Sequence, residues 1–132
     1  MVKKSWSKFW KSSVSARKQR KYLHNAPLHV KHKLVSAGLS KELRSEYNFR
    51  SVPLRKGDTV KVIAGGFRGK TGKVSSVSLS RVAAYIEGVE QTKADGSKAM
   101  YPIHPSNLQI MKLDLSDKKR VEKIERLKKN GK

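Results

Sequence analysis

The sequence predicts a mainly β fold: a small antiparallel barrel over residues 51–112, with a basic arm of short helices before it (1–50) and a charged helical tail after it (113–132). Three observations predict this. Five short runs of β-prone residues fill the middle, separated by glycine-containing turns. Charge is segregated: residues 1–41 carry eleven Lys and Arg and no Asp or Glu, whereas 51–110 and 111–132 each carry nine basic and four acidic residues. A length of 132 residues suits one domain with extensions. A barrel this small buries only ~60% of its unfolded surface, so a binding partner is expected to supply part of its stability.

In the arm, Trp6, Phe9 and Trp10 are spaced to share one face of a helical turn. Such a face suits docking on the protein's own surface, or stacking on exposed bases or on a neighbouring protein. Arg17, Lys18, Arg20 and Lys21 then cluster beside Tyr22, with no acid in the first forty-one residues to quench them. "APLHVKHKLVSAG" predicts a short helix, with Pro27 in its first turn and Gly38 as its cap. His29 and His32 lie three apart on it, but only His24 and His104 add further imidazoles, and no cysteine or nearby carboxylate completes a metal set. No metal or cofactor is expected. Imidazoles among lysines suit phosphate or base contact better. "SKELRSEY" predicts a second helix, with Ser40 as N-cap and Leu43 and Tyr47 on one face. Pro53 marks an extended lead into the barrel.

In the barrel, "DTVKVIAG" places Val60, Val62 and Ala64 on one face and Lys61 and Ile63 on the other. Val74 and Val77 are three apart, which predicts a bulge in the next strand. "RVAAYIEGV" is a third strand, Asp95-Gly96 predicts a hairpin turn, and "SNLQIMKL" ends the run. In the tail, Ser116 is the expected cap, with Asp117 at the dipole end. Val121, Ile124 and Leu127 form a thin stripe, Glu122–Arg126 and Glu125–Lys129 are favourable pairs, and Gly131 suits a terminal cap.

"AGGFRGKTGKV" resembles a phosphate-binding loop, since Gly69-Lys70-Thr71 fit, but Ala64 stands where the first glycine belongs. Such a loop must open a helix; the run after Thr71 reads as two strands. Nucleotide hydrolysis is therefore not expected. Nor is other enzymatic work, since no paired carboxylates or His with an orienting acid stand out. A net charge of +21 calls for a polyanion. No apolar run reaches the ~20 residues that span a bilayer, and "MVKKSWSKFWKSS" lacks the apolar core of a secretory signal. Without cysteine there is no disulfide framework. An intracellular, nucleic-acid-bound protein is expected.

"GDTVKVIAGGFRGKTGKV", Gly57 to Val74, resembles the KOW motif; Gly57, Asp58, Val60, Val62, Ile63, Gly65, Arg68, Gly69, Gly72 and Val74 fill its defined places. "RKQRKYLHNAPLHVKHKLVSAGLSKELRSEY", "SVPLRKGDTV", "IEGV" and "YPIHPSNLQIMKL" are similar to the archaeal and eukaryotic form of the KOW-containing large-subunit ribosomal protein, the family numbered twenty-four in bacteria and twenty-six in eukaryotes. The resemblance covers roughly residues 16–128. It implies an SH3-like barrel in a structural protein of the ribosome, cytoplasmic and without cofactor. It further implies binding to the 5′ domain of large-subunit ribosomal RNA, early assembly, and a place near the nascent-chain tunnel exit, among other ribosomal proteins and within reach of targeting factors. By analogy, RNA contact falls to Phe67, Arg68, Lys70 and Thr71 in the loop, to His104, Ser106 and Asn107 in "HPSN", and to Arg17, Lys18, Arg20, Lys21, Tyr22, His29, His32 and Lys33 in the arm. Arg50, Arg55, Lys56, Lys73 and Arg81 complete the expected set. The competing readings are a polymerase-contacting KOW protein, which would bring a mixed α/β domain, and a DNA-compacting protein, which would bring dimerisation signals.

Overall fold

The structure, a computed structural model, describes residues 6, 7, 9 and 13–130. The expected roles of Trp10 and of Gly131 lie outside them. Two helices come first, α1 (Ala16–Asn25) and α2 (Leu28–Leu34). Then come β1 (Ser36–Leu39), α3 (Lys41–Tyr47), β2 (Ser51–Pro53), β3 (Thr59–Val62), β4 (Thr71–Ser78) and β5 (Ala83–Ile86). The hairpin β6 (Glu90–Thr92) and β7 (Lys98–Met100), a 3-10 turn at Pro105–Asn107, β8 (Leu108–Lys112) and α4 (Lys118–Asn130) complete the chain.

Six strands form one sheet in the order β2-β1-β8-β3-β4-β5. The order has two ends, β2 and β5. Every pair is antiparallel except β1 with β8, so the all-antiparallel expectation is corrected there. The cause is β1 itself. The sequence predicts Gly38 as the cap of α2, but the helix stops at Leu34 and Gly38 pairs with Gln109 inside the sheet. Alternating burial of Ala37 and Leu39 outweighs the weak strand propensity of "SAGL". The sheet thus takes a strand from before residue 51. Gly38 also makes room: a Cβ there would stand 3.2 Å from the Arg44 guanidinium.

The core lies on the inward face. Leu39, Val60, Val62, Val74, Ile86, Leu108 and Ile110 are each at most 1% exposed, and burial of such side chains stabilises by roughly 1.5–3 kcal/mol apiece. Val60 opposes Ile110 and Val62 opposes Leu108, which fixes the β3–β8 register. Ala64, expected inside, is exposed because β3 ends at Val62. The register of β4 shifts between Val74 and Ser76, the irregularity that the valine spacing predicts. α3 forms as expected: Ser40 Oγ accepts the Leu43 N–H at 3.3 Å, and Leu43 and Tyr47 pack on the core. In α4 the cap is Asp117 rather than Ser116, its Oδ1 accepting the Lys119 N–H at 2.9 Å. Ile124 of the expected stripe is buried, and beside it Arg120, which the stripe omits.

Candidate nucleic-acid interface

The loop between β3 and β4 is closed by a pair of backbone bonds: Gly69 N–H to the Val62 carbonyl and Val62 N–H to the Lys70 carbonyl, each 2.8 Å. Gly65 and Gly69 sit at φ +97° and +89°, a conformation that favours glycine. The chain leaves the loop as strand β4, so no helix N-terminus faces the glycines. The loop instead presents Phe67, with Arg68 and Lys70 exposed beside it. The Lys70 ammonium lies 5.1 Å from the Phe67 ring centroid and reaches the Gly88 carbonyl at 3.4 Å.

Sheet pairing brings the second expected segment to the same place. Val62 pairs with Leu108, and the Ile63 N–H donates to the Asn107 carbonyl at 2.9 Å, so the 3-10 turn sits against the root of the loop. Phe67 meets Tyr101 at 5.1 Å between ring centroids, tilted by 49°. A 260 Å³ groove runs between the loop and the segment Tyr101–His104, with Asn107 on its wall. In the 3-10 turn, His104 Nδ1 accepts the Ser106 N–H at 3.3 Å and lies 2.8 Å from Ser106 Oγ. In the neutral ring an accepting Nδ1 puts the proton on Nε2, which is then a donor.

On the other side of the 3-10 turn lies a 350 Å³ groove lined by Arg44, Arg50, Ile63, Ser106 and Gln109. No carboxylate lines it, so its two guanidiniums suit an anion. The structure therefore joins Phe67, His104, Ser106, Asn107 and Arg50 of the expected set on one end of the sheet. It adds Tyr101, Arg44, Ile63 and Gln109, which sequence reasoning missed. Tyr101 stands three residues before His104 in "YPIHPSN", an adjacency that offered a signal. Arg44 gave none, because its helix folds back over Gly38 only in three dimensions.

Other expected residues lie elsewhere. Thr71 opens β4 opposite Lys61, and Lys73 faces Thr59. Arg81 occupies the turn at the far end of β4, roughly 23 Å of strand from the loop. Lys56 is exposed in the β2–β3 turn, and beside it Arg55 pairs with Asp117 of the α4 cap, which engages its guanidinium within the protein. Arg17, Lys18, Arg20 and Lys21 are all exposed on α1, a helix with no buried residue. Tyr22 is half-buried against Trp6, ring centroids 5.1 Å apart. His29, His32 and Lys33 are exposed on α2. Lys31, within the same basic run, is buried: its ammonium donates to the His24 carbonyl at 2.9 Å and ties α2 to the C-terminal end of α1. Among the described residues no group of three His, Cys, Asp or Glu is placed to hold a metal ion, and no helix is long and apolar enough to cross a membrane.

A family model for the ribosomal proteins called L26 in eukaryotes, together with their archaeal L24-type counterparts, matches residues 13–127. The chain belongs to this family. The match begins ahead of α1 and ends inside α4, so the basic helices and the sheet are covered together. L26-family membership makes the chain a large-subunit ribosomal protein, a structural and RNA-binding component of the translation machinery. The L26 family is not generally one of enzymes.

Proposed function

We propose that the chain binds the 5′ domain of large-subunit ribosomal RNA, joins the subunit early in assembly, and sits near the nascent-chain tunnel exit. The observation that carries this reading is the meeting of the glycine loop and the 3-10 turn on one end of the sheet, beside two arginines with no carboxylate between them. Phosphates would be neutralised by Arg44, Arg50, Arg68 and Lys70, and exposed bases and 2′-hydroxyls would meet Phe67, Tyr101, His104 and Asn107. The six-stranded sheet serves as the wall of an SH3-like KOW barrel in this reading. Residues 1–50 act as an RNA-binding arm, 51–112 as the barrel, and 113–132 as a helical tail. Arg17, Lys18, Arg20 and Lys21 contact phosphate from α1, as do Lys33, Lys56, Lys73 and Arg81 from their own elements. Tyr22, His29, His32, Thr71 and Ser106 add polar contacts, and Arg55 contributes through the fold of its turn. Neighbouring ribosomal proteins and tunnel-exit targeting factors are its protein partners.

The test is a titration of the full chain against a 5′-domain RNA fragment and a shuffled RNA of equal length, across salt. Tighter binding to the ribosomal fragment that persists at high salt is expected. Equal binding that collapses with salt on both RNAs would reduce the protein to a polycation, and the polymerase and DNA readings would return.

A further inference from the structure

The 260 Å³ groove between the glycine loop and Tyr101–His104 is lined by two aromatic rings. Phe67 and Tyr101 meet at 49°, which makes a wedge rather than a closed stack. Phe67 is half-buried while Tyr101 is 41% exposed, so one ring is anchored and the other is open to solvent. Asn107 lies on the wall of the same groove. Its backbone is held at both ends, the N–H donating to the His104 carbonyl and the carbonyl accepting from Ile63, each at 2.9 Å. Its side-chain oxygen has only a marginal contact, 3.5 Å from Ser106 Oγ, and its amide nitrogen has no partner among the described residues. A half-buried residue on the groove wall, its backbone held and its amide left with a spare donor and acceptor, suits reading the edge of a base.

From this we infer that the groove captures a single unstacked adenine of a bound RNA strand. This rests on the RNA-binding reading above and names what that site takes. The base stacks on the Phe67–Tyr101 wedge. The Asn107 amide nitrogen donates to adenine N1, and its oxygen accepts from the exocyclic N6 amine. Adenine is the base with which an Asn carboxamide characteristically pairs; cytosine offers a like edge at N3 and N4, which dimethyl sulfate also reads, and protection of a cytosine N3 instead would overturn the choice of adenine. The His104 Nε2–H is available to the sugar at the groove mouth. The Arg44–Arg50 groove across the 3-10 turn holds a phosphate of the same strand.

The experiment uses the full chain and the 5′-domain RNA fragment, with two variants. Phe67→Leu/Tyr101→Leu keeps apolar bulk and removes the stacking faces. Its affinity should fall by about tenfold or more, with the slope of log affinity against log salt unchanged, because stacking releases no counterions. Dimethyl sulfate probing should show one adenine N1 protected in the wild-type complex and reactive again in the complex with Asn107→Leu. Wild-type binding that is specific for the ribosomal fragment, with both variants leaving affinity and every adenine unchanged, would overturn the base site and leave the RNA reading standing. Failure of the wild type to prefer the ribosomal fragment would overturn both. Thermal unfolding of each variant separates lost stacking from lost fold, and the Asn107→Leu footprint decides the matter if the double variant does not fold.

Discussion

Asp58 and Arg120 stand 62 residues apart and meet inside the protein. The guanidinium is bidentate on the carboxylate, at 2.6 and 2.7 Å, and also donates to the Asp114 carbonyl at 2.9 Å. The carboxylate accepts the Arg55 and Asp114 N–H groups, each at 2.9 Å. With side chains 0% and 5% exposed, neither charge has water to fall back on. Replacing Asp58 with Ala, or Arg120 with Met, should each cost about 3–5 kcal/mol in urea unfolding, because the remaining charge is left buried and unpaired. The double variant should recover much of that loss. Gly72 makes a different point. Its φ is ordinary, but a Cβ would stand 2.5 Å from the Glu87 carbonyl across the sheet. Gly72→Ala should destabilise by about 1–3 kcal/mol, read from the urea midpoint, since backbone must move to admit it. In the sequence Asp58 and Gly72 are visible only as places in a motif. Their contacts come from α4 and from the end of β5, which no local pattern connects to them.

At the scale of elements, the β6–β7 hairpin shows how far local chemistry reaches. Asp95-Gly96 predicts the turn, and Glu90, Gln91 and Thr92 pair with Met100, Ala99 and Lys98 around it. Asp95 Oδ1 accepts from the Ser97 hydroxyl at 2.6 Å and from its N–H at 2.9 Å, and these bonds hold the carboxyl below its ordinary value. A depressed folded-state pKa means that the turn's stabilisation is complete above the unfolded carboxylate value of about 4 and is lost as pH falls through the lower folded one. Protection factors of the amides in residues 90–100, taken against the intrinsic exchange rate at each pH, should therefore fall on acidification below about pH 4. Asp95→Asn, which keeps an acceptor and loses the proton equilibrium, should flatten that response. β1 is the opposite case. Nothing in "SAGL" announces a strand; it becomes one because β8 offers an unpaired edge and Ala37 and Leu39 can be buried there. α4 lies between the two, its helix legible from its caps and spacing, its docking side decided by Asp58.

At the scale of the whole molecule, charge and shape divide the work. The cations of α1 are exposed with no buried residue behind them, so in the proposed reading they serve affinity rather than the fold. Replacing Arg17, Lys18, Arg20 and Lys21 with Gln should leave thermal unfolding nearly unchanged while reducing the salt slope of RNA binding, by roughly 0.7–0.9 per phosphate contact removed. An unchanged slope would remove α1 from the interface. By itself the sequence determined the basic front, the β-rich middle, the hairpin, the glycine loop and the polyanionic partner. These rest on composition, on period-two patterning and on turn residues, all of which act within a few positions of the chain. Only the tertiary structure decided that β1 joins β8, that Arg120 is buried on Asp58, and that Phe67, Tyr101 and Asn107 share one groove. Those outcomes depend on which edges are left unpaired and which charges find partners once the sheet has formed. Residues so far apart along the chain have no means of expressing that in local sequence.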